Sequence, residues 1–122
     1  MRWIPTRMHG VLDYLWGALL LAAPWLLGFA RGGAETWTAV VLASGAIVYS
    51  LLTDYELGVA RVLSMRGHLL LDLLGGLFLA VSPWLFGFAD RVWLPHVAFG
   101  LFSITASLMT RTRVESHAFA RA

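Results

Sequence analysis

The chain has no cysteine and no lysine among its 122 residues, and little charge of either sign. Without cysteine there can be no disulfide, no thiolate metal site and no thiol redox chemistry. All nine basic residues are arginines, and they stand singly in short connections and tails. A net charge of +2 and a pI near 9.7 are compatible with nucleic acid, but a binding surface needs a clustered basic patch, and the scatter argues against that partner. Charged residues make up 13%, where a soluble domain carries about 25%. Enzyme signatures are missing as well: there is no nucleophile elbow, phosphate loop, dinucleotide fingerprint or helical zinc-protease motif. Ser82 has no base at an identifiable spacing, and the carboxylates of Asp13 and Asp72 have no pocket or lid that would argue for hydrolysis. We expect no enzyme.

What fills the chain is apolar. Hydrophobic residues account for 59% and the mean hydropathy is +0.74. A globule of this size leaves much of its surface exposed, and there is too little polar surface here to cover it. The expected solvent is lipid.

The chain is also written twice. Residues 9–30, HGVLDYLWGALLLAAPWLLGFA, return as residues 68–89, HLLLDLLGGLFLAVSPWLFGFA, at an offset of 59 with twelve of 22 positions identical. Four apolar stretches follow, Met8 to Phe29, Thr36 to Thr53, Gly67 to Phe88 and Val92 to Thr110, each of about 18–22 residues. At about 1.5 Å per residue each can cross a hydrocarbon core of about 30 Å. The short connections between them imply antiparallel neighbours. Each repeat holds two spans, so both copies enter the membrane in the same direction as parallel helical hairpins. The expectation is an all-α, integral membrane four-helix bundle in a single domain, 1–122. Repeat one covers 8–53, an interfacial connection 54–66, repeat two 67–110 and a cytoplasmic tail 111–122. Aligning Gly45 with Gly100 gives the second helices an offset of 55 and makes the first outer loop four residues longer.

Arginine placement sets the direction. Arg2, Arg7, Arg61, Arg66, Arg111, Arg113 and Arg121 lie on one side, against Arg31 and Arg91 on the other. The positive-inside rule puts both termini and the central connection in the cytoplasm, across a cytoplasmic membrane. Arg2, Arg7 and the small pair Ala22-Ala23 superficially fit a cleaved signal peptide. The same segment returns in mid-chain, so the first span is read as retained. Within the connection, Leu57, Val59, Val62 and Leu63 alternate with Glu56 and Arg61, which suits an interfacial helix lying flat, and a solvated loop nearly as well.

Each odd-numbered span ends in Pro-Trp-Leu-x-Gly-Phe-Ala. Pro24 and Pro83 lack an N–H and crowd the carbonyls of Leu20 and Leu79, so each helix should kink or loosen there. Trp25 and Trp84 suit the outer water–lipid interface. Gly28 and Gly87 can take the left-handed conformation that ends a helix. The element reads as a terminator and an anchor. Ser82-Pro83-Trp84, after an apolar helix and before Leu-Phe-Gly-Phe, resembles the SPW repeat family of small bacterial and archaeal membrane proteins. The resemblance covers the whole chain and implies two repeats and four spans; it implies no particular activity. The first copy departs from the pattern, reading Ala23-Pro24-Trp25, so the serine is not required in both halves.

Each repeat opens with a His and, four residues later, an Asp: His9 with Asp13, and His68 with Asp72. At this spacing both side chains leave one helix face. With about 100° per residue, the identities His9, Leu12, Asp13, Gly17, Leu20 and Pro24 share about 140° of arc, and only Leu15 lies outside. The shared faces should pack on the pseudo-axis and bring the two His-Asp pairs together near the cytoplasmic edge. Two readings follow. In the favoured one the pairs are polar glue between helices. In the other they form a metal or cofactor site, with the four groups on a divalent cation or the two His on haem, because an Asp on the second imidazole nitrogen is the usual support for a metal-ligating His. A proton or ion path through the same face ranks third.

The remaining candidates are structural. His96 is expected to pack at an interface, His117 to belong to the polar tail, and Asp54-Tyr55-Glu56 to close the second helix as an interfacial stop. Gly100, Ser103 and Ser107 form a small-residue stripe for close helix approach, with Gly45, Gly17, Gly75 and Gly76 expected to serve likewise. The leading expectation for function is a non-catalytic membrane scaffold or accessory subunit, whose partners are the bilayer and further copies or a larger membrane complex.

Overall fold

A computed structural model describes residues 2–114. It contains four helices, α1 (Thr6–Leu26), α2 (Ala34–Leu51), α3 (Met65–Leu85) and α4 (Leu94–Met109). They form an all-α four-helix bundle. Every expected stretch becomes a helix, with ends displaced by up to three residues. Three of the four starts have a local cause. Ser64 accepts a hydrogen bond from Gly67 N at 3.0 Å at the head of α3. Glu35 puts an acid in the first turn of α2, and Pro95 occupies the first turn of α4. Packing is closest within the hairpins, α1 on α2 and α3 on α4.

Two helices, α2 and α3, are long and apolar enough to cross a membrane, and α4 is a shorter apolar helix. Leucines and aromatics lie outside, among them Leu15, Leu19, Leu74, Leu77, Phe102 and Leu108, while the His and Asp residues of α1 and α3 are buried. This inside-out arrangement follows from the shared arc: His9, Asp13, Gly17, Leu20 and Pro24 all turn inward, and Leu15 is exposed. In the half of the bundle away from His9 and His68, Leu20, Ala23, Ala39, Ala43 and Leu79 form an apolar layer.

The second helices are related by an offset of 57, not 55. A Cβ on Gly17 would lie 2.6 Å from Ile47 Cγ1 and 3.6 Å from Ala43 O; one on Gly76 would lie 3.1 Å from Ile104 Cγ1 and 2.8 Å from Gly100 O. Gly17 and Gly76 are thus equivalent, and so are Ala43 and Gly100, which makes the first outer loop two residues longer instead of four. The alignment on Gly45 misled because it matched residue type rather than buried face. Gly45 and Gly75 have nothing within 4 Å of a Cβ position and do not serve close approach inside the bundle, whereas Gly17, Gly76 and Gly100 do.

The central connection is not a helix. Residues 54–64 fold irregularly over the end of α2, with Val59 N and Ala60 N bonded to Leu51 O at 2.7 and 3.0 Å, and Val62 N and Leu63 N to Leu52 O at 2.9 and 2.8 Å. Four residues thereby serve two carbonyls that a helix end leaves without partners. Residues 65 and 66 already belong to α3. The N-terminal arm does the same for α4: Ile4 N bonds Met109 O, and the Arg2 guanidinium donates to Ser107 O at 2.9 Å and Thr110 O at 2.6 Å. Val114 is buried beside Tyr55, Met65 and Leu69, so the fold continues past the expected start of the tail at 111. His117 and Arg121 lie outside the described residues.

Candidate functional site

The two His-Asp pairs meet. His9 Nε2 lies 3.0 Å from Asp13 Oδ1 in its own helix and 2.8 Å from Asp72 Oδ2 in the other repeat. His68 Nε2 lies 3.2 Å from Asp72 Oδ2 and 3.0 Å from Asp13 Oδ2. Every His therefore touches both Asp residues, and the imidazoles sit edge to face with centroids 5.3 Å apart. Donor atoms of the four groups all fall within 4.8 Å of one another. Both histidines are essentially inaccessible to solvent. Four side chains from one short motif, duplicated, make a single buried centre.

The other ring nitrogens fix the tautomer. Thr110 Oγ1 gives its proton to Ala106 O at 2.6 Å and lies 2.7 Å from His9 Nδ1. Thr53 Oγ1 likewise donates to Tyr49 O at 2.6 Å and lies 2.7 Å from His68 Nδ1. A hydroxyl has one proton. With it committed to the helix carbonyl, each threonine can only accept, so both Nδ1 atoms carry hydrogen. Both Nε2 atoms then face the carboxylates. His68 Nε2, although close to two carboxylate oxygens, makes no hydrogen bond aligned with either.

Two tyrosines complete the shell. Tyr55 donates to Asp13 Oδ2 at 2.7 Å, and Tyr49 donates to Asp72 Oδ1. Burial, and after it the Asp13 charge, push the Tyr55 phenol well above its ordinary range, which keeps it a donor. Ser103 Oγ holds the backbone carbonyl of Asp72 at 2.9 Å. Beside the centre, bounded by His9, Asp13, Asp72 and Ser103, is a cavity of about 10 Å³. That admits one water-sized occupant and no porphyrin, so the haem reading does not fit.

Sequence reasoning placed His9, Asp13, His68 and Asp72 together and missed Thr53, Thr110, Tyr49 and Tyr55. The threonines had a signal: each closes the second helix of its repeat, and they pair at the offset of 57. The tyrosines had none. Tyr49 corresponds to Ala106, and Tyr55, expected only to help stop α2, is fully buried over Asp13.

At the opposite end, Gly28 and Gly87 take φ of 76° and 74°. Phe29 N and Phe88 N reach back to Pro24 O and Pro83 O, each at 2.8 Å, the six-to-one bond of a Schellman ending. Trp25 and Trp84 are exposed, as a membrane anchor requires. Pro83 leaves Leu79 O without its helical donor, and Ser82 Oγ supplies one at 2.7 Å. Ala23 cannot do this for Leu20. His96 is buried between Phe29 and Phe88 and bonds Glu35 O at 2.9 Å through Nε2, while the Glu35 carboxylate meets Arg91 at 3.2 Å. None of these residues joins the His-Asp centre.

Duplicated hairpins, an apolar exterior and a buried ionisable centre suit a membrane protein of the small four-helix type. The SPW repeat domain model matches residues 7–110, and the chain belongs to the SPW repeat family. No curated protein and no solved structure matches it.

Proposed function

We propose that the protein is a four-span, non-catalytic component of the cytoplasmic membrane that acts through its lipid-facing helix surfaces as a self-associating scaffold or accessory subunit. Both termini and the central connection lie on the cytoplasmic side in this reading. The support is the segregation of arginines: Arg2, Arg7, Arg61, Arg66, Arg111 and Arg113 belong to the end of the bundle that holds the His-Asp centre, and Arg31 and Arg91 to the other.

One observation carries the self-association. Gly45 and Gly75 present open space on the outside of the bundle, where no helix of the same chain approaches. Glycine in a span weakens the helix unless it admits a close neighbour. The corresponding positions of the other repeat hold Phe102 and Trp16, which with Leu12, Leu15, Leu19 and Phe99 line an apolar groove between α1 and α4. The two outer faces of the bundle are therefore unlike, and the glycine face is the one built for another helix. A non-catalytic role is supported by where the hydroxyls go: Ser82, Ser103 and Ser107 all donate to helix carbonyls. The conducting alternative gains nothing from the apolar layer of Leu20, Leu79, Ala39 and Ala43 that crosses the bundle.

The test is the mass of the full-length protein in lipid nanodiscs or mild detergent. Wild type should be a dimer or higher oligomer, and Gly45→Leu with Gly75→Leu should dissociate it without unfolding, because both side chains would enter open space. A wild-type protein that stays monomeric, with no stoichiometric partner in the membrane extract, would overturn the reading.

A further inference from the structure

We propose that His9, Asp13, His68 and Asp72 form a four-coordinate site for one divalent first-row transition cation, with Zn²⁺ as the reference ion. This goes beyond the scaffold reading and stands or falls separately from it.

The first argument is the tautomer. Thr53 and Thr110 each hold an Nδ1–H, which leaves both Nε2 positions directed at the carboxylates. With Nδ1 protonated, an Nε2 can face a carboxylate only by carrying a second proton, as the His9–Asp72 hydrogen bond would require, or by giving its lone pair to a cation held between them. A bound divalent ion takes the place of both protons. A hydrogen-bonded Nδ1 is also the usual support for a metal-ligating histidine, because it fixes the ring and the coordinating nitrogen together.

The second argument is His68. It is fully buried, its Nε2 faces Asp13 and Asp72, and it has no aligned hydrogen bond there. A buried polar atom without a partner is costly in protein and more so in a membrane. Coordination would supply the missing partner.

Size and charge agree. Four ligands on Zn²⁺ at about 2.0–2.1 Å are separated by about 3.3 Å in a tetrahedral set. The nitrogen–oxygen contacts here run from 2.8 to 3.2 Å, and one donor atom from each residue lies within 4.8 Å of the others, so the four can gather round one ion by local side-chain adjustment. Two carboxylates and one divalent ion sum to zero charge, which suits a site shut from water. Two imidazoles in the set favour a transition cation over Mg²⁺ or Ca²⁺, which prefer oxygen ligands. Tyr49 and Tyr55 donate to the same carboxylates and orient them.

The experiment uses tag-free, full-length protein in nanodiscs, stripped with chelator and reloaded with Zn²⁺. Metal is counted by elemental analysis and its shell read by X-ray absorption. About one equivalent per chain is expected, with two imidazole nitrogens in the shell. Thr53→Val and Thr110→Val keep side-chain shape but remove the acceptor, and each should weaken binding by about 10–100-fold. His9→Gln with His68→Gln should abolish it, with helicity checked by circular dichroism. A folded wild type that takes up no Zn²⁺ would overturn the proposal. So would a full equivalent retained by the folded double His variant, since the metal would then be elsewhere. Neither result touches the oligomer test, which reads mass and not metal.

Discussion

His9 and Asp72 stand 63 positions apart in the chain, and His9 Nε2 rests 2.8 Å from Asp72 Oδ2, closer than the 3.0 Å to Asp13 in its own helix. The duplication therefore does more than repeat a motif. It lets each copy complete the other, so the centre exists only when both hairpins are docked.

The crossed arrangement should appear as coupling. In a double-mutant cycle, His9→Gln with Asp72→Asn should show an interaction energy at least as large as His9→Gln with Asp13→Asn. Each single change should destabilise by about 3 kcal/mol or more, because it leaves a buried charged or polar partner uncompensated. Unfolding of the full-length protein in one fixed detergent measures both. A cross-repeat coupling near zero would mean that the copies merely lie side by side.

Thr53 and Thr110 occupy equivalent places and should behave alike. Replacing either by Val removes the acceptor for a buried imidazole N–H, at a cost of about 1–3 kcal/mol in thermal or denaturant unfolding. The two losses should agree to within about 0.5 kcal/mol. A large effect at one threonine and none at the other would break the equivalence of the repeats.

Helix approach separates the glycines into two groups. A Cβ at Gly100 would lie 2.5 Å from Gly76 O and 2.7 Å from Ala80 N, both backbone atoms that cannot yield without moving a helix. Gly100→Ala should cost about 1–3 kcal/mol. Gly45→Ala meets nothing, and within one chain it should be neutral or gain up to about 1 kcal/mol from helix propensity. Melting temperatures of the two variants, compared with wild type, decide this.

The serine of Ser-Pro-Trp is explained by the carbonyl that its proline strands. Ser82→Ala should cost about 1 kcal/mol through the unpaired Leu79 O, and Ala23→Ser should recover a similar amount by giving Leu20 O a donor. Opposite shifts of the unfolding midpoint are expected, and equal shifts in one direction would refute the account.

Tyr55 gives the fold an alkaline limit. Burial, then the Asp13 charge, raise its phenol above the ordinary value of about 10. The folded chain thus keeps a proton that the unfolded chain releases. Stability from this group is complete below about pH 10 and is lost as pH rises further. Unfolding followed from about pH 8 to pH 11 should show that fall, and Tyr55→Phe should flatten it while lowering stability at neutral pH. An unchanged alkaline slope in the variant would assign the effect to other groups.

Much of this architecture could be read from the chain. The repeat at offset 59, the spacing of His9 to Asp13 and of His68 to Asp72, and the Pro-Trp-Leu-x-Gly-Phe-Ala endings are local or periodic features. Periodicity alone predicts which face a helix buries, and a duplicated face predicts that its copies meet. The helix ends, the left-handed glycines and the convergence of four ionisable side chains followed from that. The register of α2 against α1 did not, because small residues are frequent on both faces of α2, and Gly45 was mistaken for the contact that Ala43 makes.

What the sequence determined by itself, then, is the pair of hairpins, their parallel sense and the two His-Asp pairs, since each depends on residues within a few turns of one another. The tertiary structure alone decided what surrounds them. Thr110 reaches His9 across 101 positions and Tyr55 reaches Asp13 across 42. Single hydroxyls at helix ends and in an irregular connection carry no periodic signal, and only the docking of the hairpins determines which buried nitrogen or carboxylate each one meets.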